Sequence, residues 1–216
     1  MAGQKDNLIL IGGGGHCKSC IDVIEGTALF HIAGILDLPE KKGAKVLNYQ
    51  VIGCDEEIPQ FVDQGYTFLI TLGQIRSAKV RKNLFHRLQA LNAKIATIYA
   101  TGAYVSRYAK LGPGTIVMHG VMINAGATIG ENCILNTGCT IEHDVQIGSH
   151  CHISTQAVIN GDCKVGDEVF IGSNATLLSQ VEVGSQVIIG AGSLLLKTVF
   201  TQGTYVGNPA KFIEDE

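Results

Sequence analysis

From residue 105 onward the apolar positions recur at a period that belongs to neither a helix nor an ordinary strand. Every sixth residue from Val105 to Leu195 is Ile, Leu or Val, sixteen positions without an exception. At a background of about one aliphatic residue in four, chance does not produce such a row. A second row, four residues after the first, runs Ala109, Thr115, Val121, Ala127, Cys133, Cys139, Val145, Cys151, Ala157, Cys163, Val169, Ala175, Val181, Val187, Ser193, all small or β-branched. Neither 3.6 nor 2.0 residues per repeat gives this pattern. A period of six predicts a prism-shaped solenoid in which each hexad supplies one short strand and one corner, with the aliphatic residue inward. Gly, Asn and Asp are expected at corners that need positive φ, as in Ile129-Gly130-Glu131-Asn132 and Ile147-Gly148. Three sides close a coil of 18 residues, so Asn124, Glu142 and Asn160 lie one above another, at the parallel-strand spacing of about 4.8 Å.

Residues 8–98 follow a different pattern. Leu8–Ile11 reads as a buried strand and runs into Gly12-Gly13-Gly14-Gly15-His16. A helix is predicted over Lys18–Glu25, a strand over His31–Leu36 ending at Asp37, and a strand over Phe68–Thr71 stopping before Gly73. A helix over Ile75–Leu91 follows, carrying Arg76, Lys79, Arg81, Lys82 and Arg87, and then a short strand over Lys94–Ile98. Alternating strands and helices predict a small Rossmann-like parallel sheet. The expected organisation is an α/β domain over residues 1–102 and a left-handed parallel β-helix over 103–216. Lys197–Thr204 connects to a terminal segment, Tyr205–Lys211, which the Asn208-Pro209 turn signal folds back.

Composition narrows the function. Sixteen Lys and Arg against nineteen Asp and Glu leave a net charge of −3, which gives no footprint for nucleic acid or an anionic membrane. The start is polar, and no apolar run approaches the ~18 residues of a membrane span, so the expectation is a soluble cytoplasmic protein. The cysteine count is seven, and free thiols are expected. Four of them fall in the small inward row. Cys17 and Cys20 form a C-x-x-C without a second cluster or a thioredoxin-like context.

The glycine-rich strand–loop–helix junction offers backbone N–H groups to a phosphate. It is not a full dinucleotide fingerprint, and a nucleotide or nucleotide-sugar site and a tight structural turn both fit it. Asp37 is placed to accept hydrogen bonds from a ribose or base, or is an ordinary strand-end residue. Among the histidines, His143 falls two positions after Ile141, outside the inward row, between Glu142 and Asp144. A carboxylate beside an exposed imidazole fixes its tautomer and suits it to general-base work; a solvated histidine on the side of the β-helix is the alternative reading. A zinc site from His143, His150 and His152 would need ligands that converge, whereas these fall on different corners of the coil.

The segment Asn136-Thr137 through Ile141-Glu142-His143-Asp144 to Ile147-Gly148, together with the glycine-rich start and the Gly-Asn-Pro-Ala-Lys tail, resembles the sugar O/N-acyltransferase family. The likeness is greatest to UDP-4-amino-sugar N-acetyltransferases of the bacillosamine pathway. Perosamine N-acetyltransferases and sialic-acid O-acetyltransferases belong to the same family. The resemblance implies a homotrimer with acetyl-CoA, the co-substrate, in a groove between subunits, a nucleotide sugar held by the α/β domain, and no required metal. It makes His143 the catalytic base, Asp144 the acid that polarises it and Asn136 a neighbour of the reacting groups. It places His152 on the acetyl-CoA, with Ser173 and Ala191 along the pantetheine arm. Gly14, Gly15 and His16 would cradle the sugar diphosphate, and Asp37 and Gly73 would contact the nucleotide. Leu38 and Cys17 depart from the family pattern, which has a second acid and a glycine there. The expected reaction is N-acetylation of a 4-amino-4,6-dideoxy sugar with UDP as carrier. An O-acetyltransferase of sialic acid and a non-catalytic β-helical binding protein are the alternatives.

Overall fold

A computed structural model describes residues 5–213. The chain forms two compact units: one contains the residues up to Gly73 and Lys79–Thr101, the other Gln74–Ala78 and the chain from Gly102 onward.

The first unit is an open α/β sheet. Its elements are β1 (Asp6–Ile11), α1 (Gly15–Thr27), β2 (Phe30–Leu36), β3 (Lys45–Val46), β4 (Tyr49–Gly53), α2 (Ile58–Asp63), β5 (Thr67–Ile70), α3 (Lys79–Ala90) and β6 (Lys94–Ile95). The strand order is β3-β4-β2-β1-β5-β6, parallel except for the β3–β4 hairpin. β1 is covered on both faces, which is why Leu8–Ile11 is continuously apolar and buried. Ile9, Ile11, Phe68 and Ile70 pack against Leu84, Phe85 and Leu88 of α3. That helix begins at Lys79, not Ile75 as its pattern suggested; Gln74–Ala78 leave the helical path and pack with the second unit. Arg81 does not join an exposed basic face. It is 1% exposed and donates from Nη1 to the carbonyls of Ile70 and Leu72, both at 2.8 Å, satisfying the backbone where β5 ends.

The second unit is a left-handed β-helix. Two-residue strands stack in three faces with an 18-residue offset, for example Ile116↔Ile134, Ile134↔His152 and His152↔Phe170. The inward aliphatic row is buried from Val117 to Leu195, while Val105 and Leu111 are half-buried on the opening coil. The four cysteines of the small row are wholly buried, and three give their thiol hydrogen to a carbonyl of the following coil: Cys133 to Gly148, Cys151 to Gly166 and Cys163 to Leu178. All seven cysteines are free.

The corners obey a rule that the sequence conceals. A left-handed residue recurs every six positions, at Gly114, Gly120, Gly126, Asn132, Gly138, Asp144, His150, Gln156, Asp162, Glu168, Asn174, Gln180, Gln186 and Gly192. Its N–H reaches back to the preceding coil, as from Asp144 to Ala125 O (3.1 Å) and from Asp162 to His143 O (3.1 Å). That hydrogen bond offsets the cost of positive φ for the residues that carry a Cβ. Gly130 and Gly148, expected at positive φ, are not in this row. They are glycine because the next coil is too close: a Cβ on Gly130 would lie 2.6 Å from the carbonyl carbon of Gly148, and one on Gly148 2.8 Å from that of Gly166.

The tail turns at Asn208-Pro209, and Gly203–Val206 pairs antiparallel with Lys211–Ile213 while extending the face that contains Val187–Ile189. No helix among the described residues is long and apolar enough to cross a membrane.

Candidate active site

One corner of the β-helix presents Glu142-His143-Asp144 to solvent. Asp144 holds the left-handed conformation at φ 60°, and the chain swings round it, so the His143 and Asp144 side chains both point outward, 60% and 62% exposed. His143 Nδ1 donates to Asp144 Oδ2 at 3.0 Å, because a carboxylate can only accept. The Nε2 lone pair is therefore the free end of the ring. Room for the ring comes from Gly161, one coil further on: a Cβ there would stand 2.6 Å from both Cε1 and Nε2. Below, Asn124 Nδ2 donates to Glu142 Oε2 at 2.7 Å, the stacking expected from the 18-residue lap. The Asp144 hydrogen bond raises the His143 pKa above its ordinary value; desolvation opposes this, and the charges of Asp144, Asp162 and Glu142 add to it.

Four further expected residues share a cleft of about 930 Å³: Asn136, His152, Ser173 and Ala191. His152 is buried. Its Nδ1 donates to the Gln74 carbonyl, and its Nε2 accepts from Asn136 Nδ2 at 3.2 Å. Asn136 is itself oriented by the Thr137 N–H, which donates to its Oδ1 at 2.8 Å. Both ring nitrogens of His152 are thus engaged within the chain, whereas the Asn136 amide holds a second hydrogen. Phe170 meets the His152 ring edge-on at 5.2 Å, and the Ser154 and Ser173 hydroxyls are 2.9 Å apart. His143 and Asp144 do not line this cleft. Arg76 does, and it brings the cleft a cation. His150 is occupied elsewhere, its Nδ1 3.0 Å from Asn132 Nδ2.

In the α/β unit, Gly14 caps α1 without a side-chain hydrogen bond, and no acidic residue stands in the first turn. Beyond the local backbone, no atom lies within 4 Å of where a Cβ on Gly14 or Gly15 would be, and the Cys17 N–H donates to the Gly14 carbonyl at 3.1 Å. His16 is half-buried, and its Cβ lies 3.7 Å from the Cβ position of Gly73. Asp37 accepts from the Gly13 N–H (2.9 Å), the Leu38 N–H (2.8 Å) and Lys41 Nζ (3.1 and 3.0 Å). Desolvation pushes its pKa up, but the Leu38, Lys41 and Gly13 hydrogen bonds outweigh that and leave it lowered. It is a fixed anion that ties the glycine loop to the end of β2.

Sequence reasoning did not single out Gln74, Ser154, Phe170 or Gly161. Three of these had a legible signal in the 18-residue lap: Gly161 follows His143, Phe170 follows His152 and Ser154 follows Asn136 by one turn of the coil.

Residues 7–88 match the model of the PglD N-terminal domain. Residues 108–143, 126–161 and 162–197 match that of the bacterial transferase hexapeptide (six repeats). No curated protein sequence matches the chain. Among solved structures, a mutant of perosamine N-acetyltransferase from Caulobacter crescentus, in complex with CoA and GDP-perosamine, is 30% identical over 97% of each chain, with a TM-score of 0.91. The acetyltransferase domain of PglB from Neisseria gonorrhoeae FA1090 is 28% identical over 97% of this chain and 100% of that one, with a TM-score of 0.89, and it has also been solved with acetyl coenzyme A. WeeI from Acinetobacter baumannii AYE, 19% identical with a TM-score of 0.85, shares the fold. With an α/β unit before a hexapeptide β-helix, and 30% identity along nearly its whole length to one member, the chain is an acyltransferase and belongs to the perosamine/PglB-type sugar N-acetyltransferase family.

Proposed function

We propose that the protein transfers an acetyl group from acetyl-CoA to the 4-amino group of a nucleotide-linked 4-amino-4,6-dideoxy sugar. One observation carries the reading: an exposed imidazole whose Nδ1–H is fixed by Asp144, leaving a bare Nε2 of raised basicity above Gly161. His143 takes the proton from the sugar amine as the nitrogen attacks the thioester carbonyl; the C–S bond then breaks, and coenzyme A leaves as the thiol with that proton. Asn136 offers its remaining amide hydrogen to the developing oxyanion. His152 holds that amide in place, and Ser173 and Ala191 line the path of the pantetheine arm. A thioester is already activated, so proximity and proton removal are what the protein adds. The buried thiols take no part; burial pushes that of Cys139 up to about 12.

The working unit in this reading is a homotrimer. Two faces of the β-helix differ in what they turn outward. One presents Lys110, Thr128, Gln146, Lys164 and Glu182. Another presents Tyr104, Met122, Thr140, Val158, Thr176 and Leu194, with Tyr104 58% and Met122 44% exposed. An apolar face of this kind suits a second copy. The Asn136 corner bounds it on one side and the His143 corner on the other, so a ring of three sets the base of one copy beside the cleft of the next. The α/β unit holds the sugar nucleotide, its diphosphate at Gly14, Gly15 and His16 and the nucleotide near Asp37 and Gly73. UDP follows from the likeness to bacillosamine enzymes and GDP from the perosamine enzyme's ligand.

Incubation with acetyl-CoA and UDP- or GDP-linked 4-amino sugars, and separately with sialic acid, tests the proposal by coenzyme A release and product mass. Acetylation of an amino sugar is expected. Turnover on sialic acid alone, or on nothing, would overturn it.

A further inference from the structure

The α/β unit has a cavity of its own, about 350 Å³, that includes Asp37, Lys41 and Asp55 in its wall. It lies where β1, β2 and β4 end, the crevice in which open parallel sheets hold ligands. The sheet sets different chemistry at each strand end. β1 leads into the glycine loop and the N-terminus of α1, which suit a diphosphate. β2 leads to Asp37, whose carboxylate accepts from the Gly13 N–H and ties the glycine loop to this strand end. β4, one strand further out, leads into Cys54-Asp55-Glu56-Glu57. The Asp37 N–H donates to the Gly53 carbonyl at 3.1 Å, clamping the ends of β2 and β4 together.

The carboxylates here are not equivalent. Asp37 is saturated by the bonds given above. Glu57 accepts from the Cys54 N–H (2.6 Å) and thiol (2.9 Å) and from Lys42 Nζ (3.1 Å). Glu56 is exposed and interacts with the Cys54 thiol. Asp55 is half-buried in the cavity wall; the Ile58 N–H donates to its backbone carbonyl, but among the described residues nothing donates a hydrogen bond to its carboxylate. Burial raises its pKa; the charge of Arg87 opposes this, and those of Glu56 and Asp37 add to it. The same cavity wall includes the apolar Leu36, Leu38, Leu72, Val80 and Leu84.

We propose that this cavity takes the base of the nucleotide sugar and that Asp55 selects guanine. The inference rests on the nucleotide-sugar reading above. A carboxylate carries two acceptor oxygens side by side. Guanine presents two adjacent donors, N1–H and the 2-amino group, and can meet both oxygens in a parallel pair. Uracil offers one N–H between two carbonyls, and adenine an amino group beside a bare ring nitrogen. Either would set an acceptor against a carboxylate oxygen. Leu38, where some family members have a second acid, provides apolar cover for a ring.

Calorimetric titration of the full-length protein with GDP, IDP and UDP tests this. IDP differs from GDP only in lacking the 2-amino group, and it should bind about ten- to a hundredfold more weakly, the value of one hydrogen bond to a charged acceptor. UDP should bind more weakly than GDP as well. Asp55→Asn should shrink the gap between GDP and IDP while coenzyme A titrates as in wild type. If that variant fails to fold, the wild-type GDP and IDP comparison decides alone. Equal affinity for GDP and IDP, or tighter binding of UDP, overturns the guanine assignment and leaves the nucleotide reading standing. Binding of none of the three overturns the nucleotide-sugar reading itself.

Discussion

Gly161→Ala is a small change whose consequences separate the fold from the chemistry. Gly161 is buried beneath the His143 ring, and a Cβ there would stand 2.6 Å from Cε1 and Nε2. Ordinary contact begins near 3.4 Å, so the ring must retreat by about 0.8 Å. Gly161 is not at positive φ, so alanine adds no backbone strain, and the group that yields is an exposed side chain. Folding should be nearly unaffected. The imidazole, however, is tethered through the 3.0 Å bond to Asp144, and it can retreat only by distorting that bond or tilting Nε2 off line. A misplacement of about 1 Å in a reacting group can cost on the order of 10²-fold in rate. The expected result is a thermal midpoint close to wild type, with kcat lowered by roughly ten- to a hundredfold and KM for acetyl-CoA unchanged. Wild-type kcat in a folded Gly161→Ala protein would refute the claim that the ring works from its place over Gly161.

Further predictions follow from the same corner and its neighbours. A base works only when unprotonated, so activity should rise with pH along a limb set by His143, above the ordinary histidine value of 6.5. Asp144→Asn, which tolerates the left-handed backbone at φ 60°, removes the main cause of the raised pKa. Its limb in a kcat/KM–pH profile should move to lower pH while the maximum falls; an unmoved limb would assign the titration to another group. Cys139→Ala should remain active with only a modest loss of thermal stability, since that thiol is wholly buried; a folded but inactive variant would point to covalent catalysis.

The solenoid was legible because its period is written in side chains of one kind. Sixteen aliphatic residues in step fix the inward direction, and the outward position of His143 follows by counting two from Ile141. The corners were less legible because two causes place glycine there. One is the left-handed row, which also admits Asn, Asp, Gln, Glu and His; the other is the close approach of successive coils, which sets Gly130 over Gly148. Asn136, His152, Ser173 and Ala191 share a cleft; the 18-residue lap stacks Ser173 under Ala191, but Asn136 and His152 were joined to them only through a family likeness. Gln74 escaped notice because its backbone carbonyl, rather than its side chain, fixes the His152 tautomer, and a carbonyl carries no sequence signature. The same segment misled the helix prediction: the apolar and basic residues of Ile75–Ala78 imitate a first helical turn, while their partners lie in the second unit. Asp55 was hidden because β4, which positions it, is a short strand that the apolar pattern did not reveal.

The most direct test of the account is His143→Ala, assayed by single-turnover acetyl transfer from acetyl-CoA to a nucleotide-linked 4-amino sugar. A folded variant should still bind acetyl-CoA, because His143 lies outside the cleft that contains His152 and Ser173, and its transfer rate should fall by at least ~10²-fold. Transfer at the wild-type rate would contradict the assignment of the base.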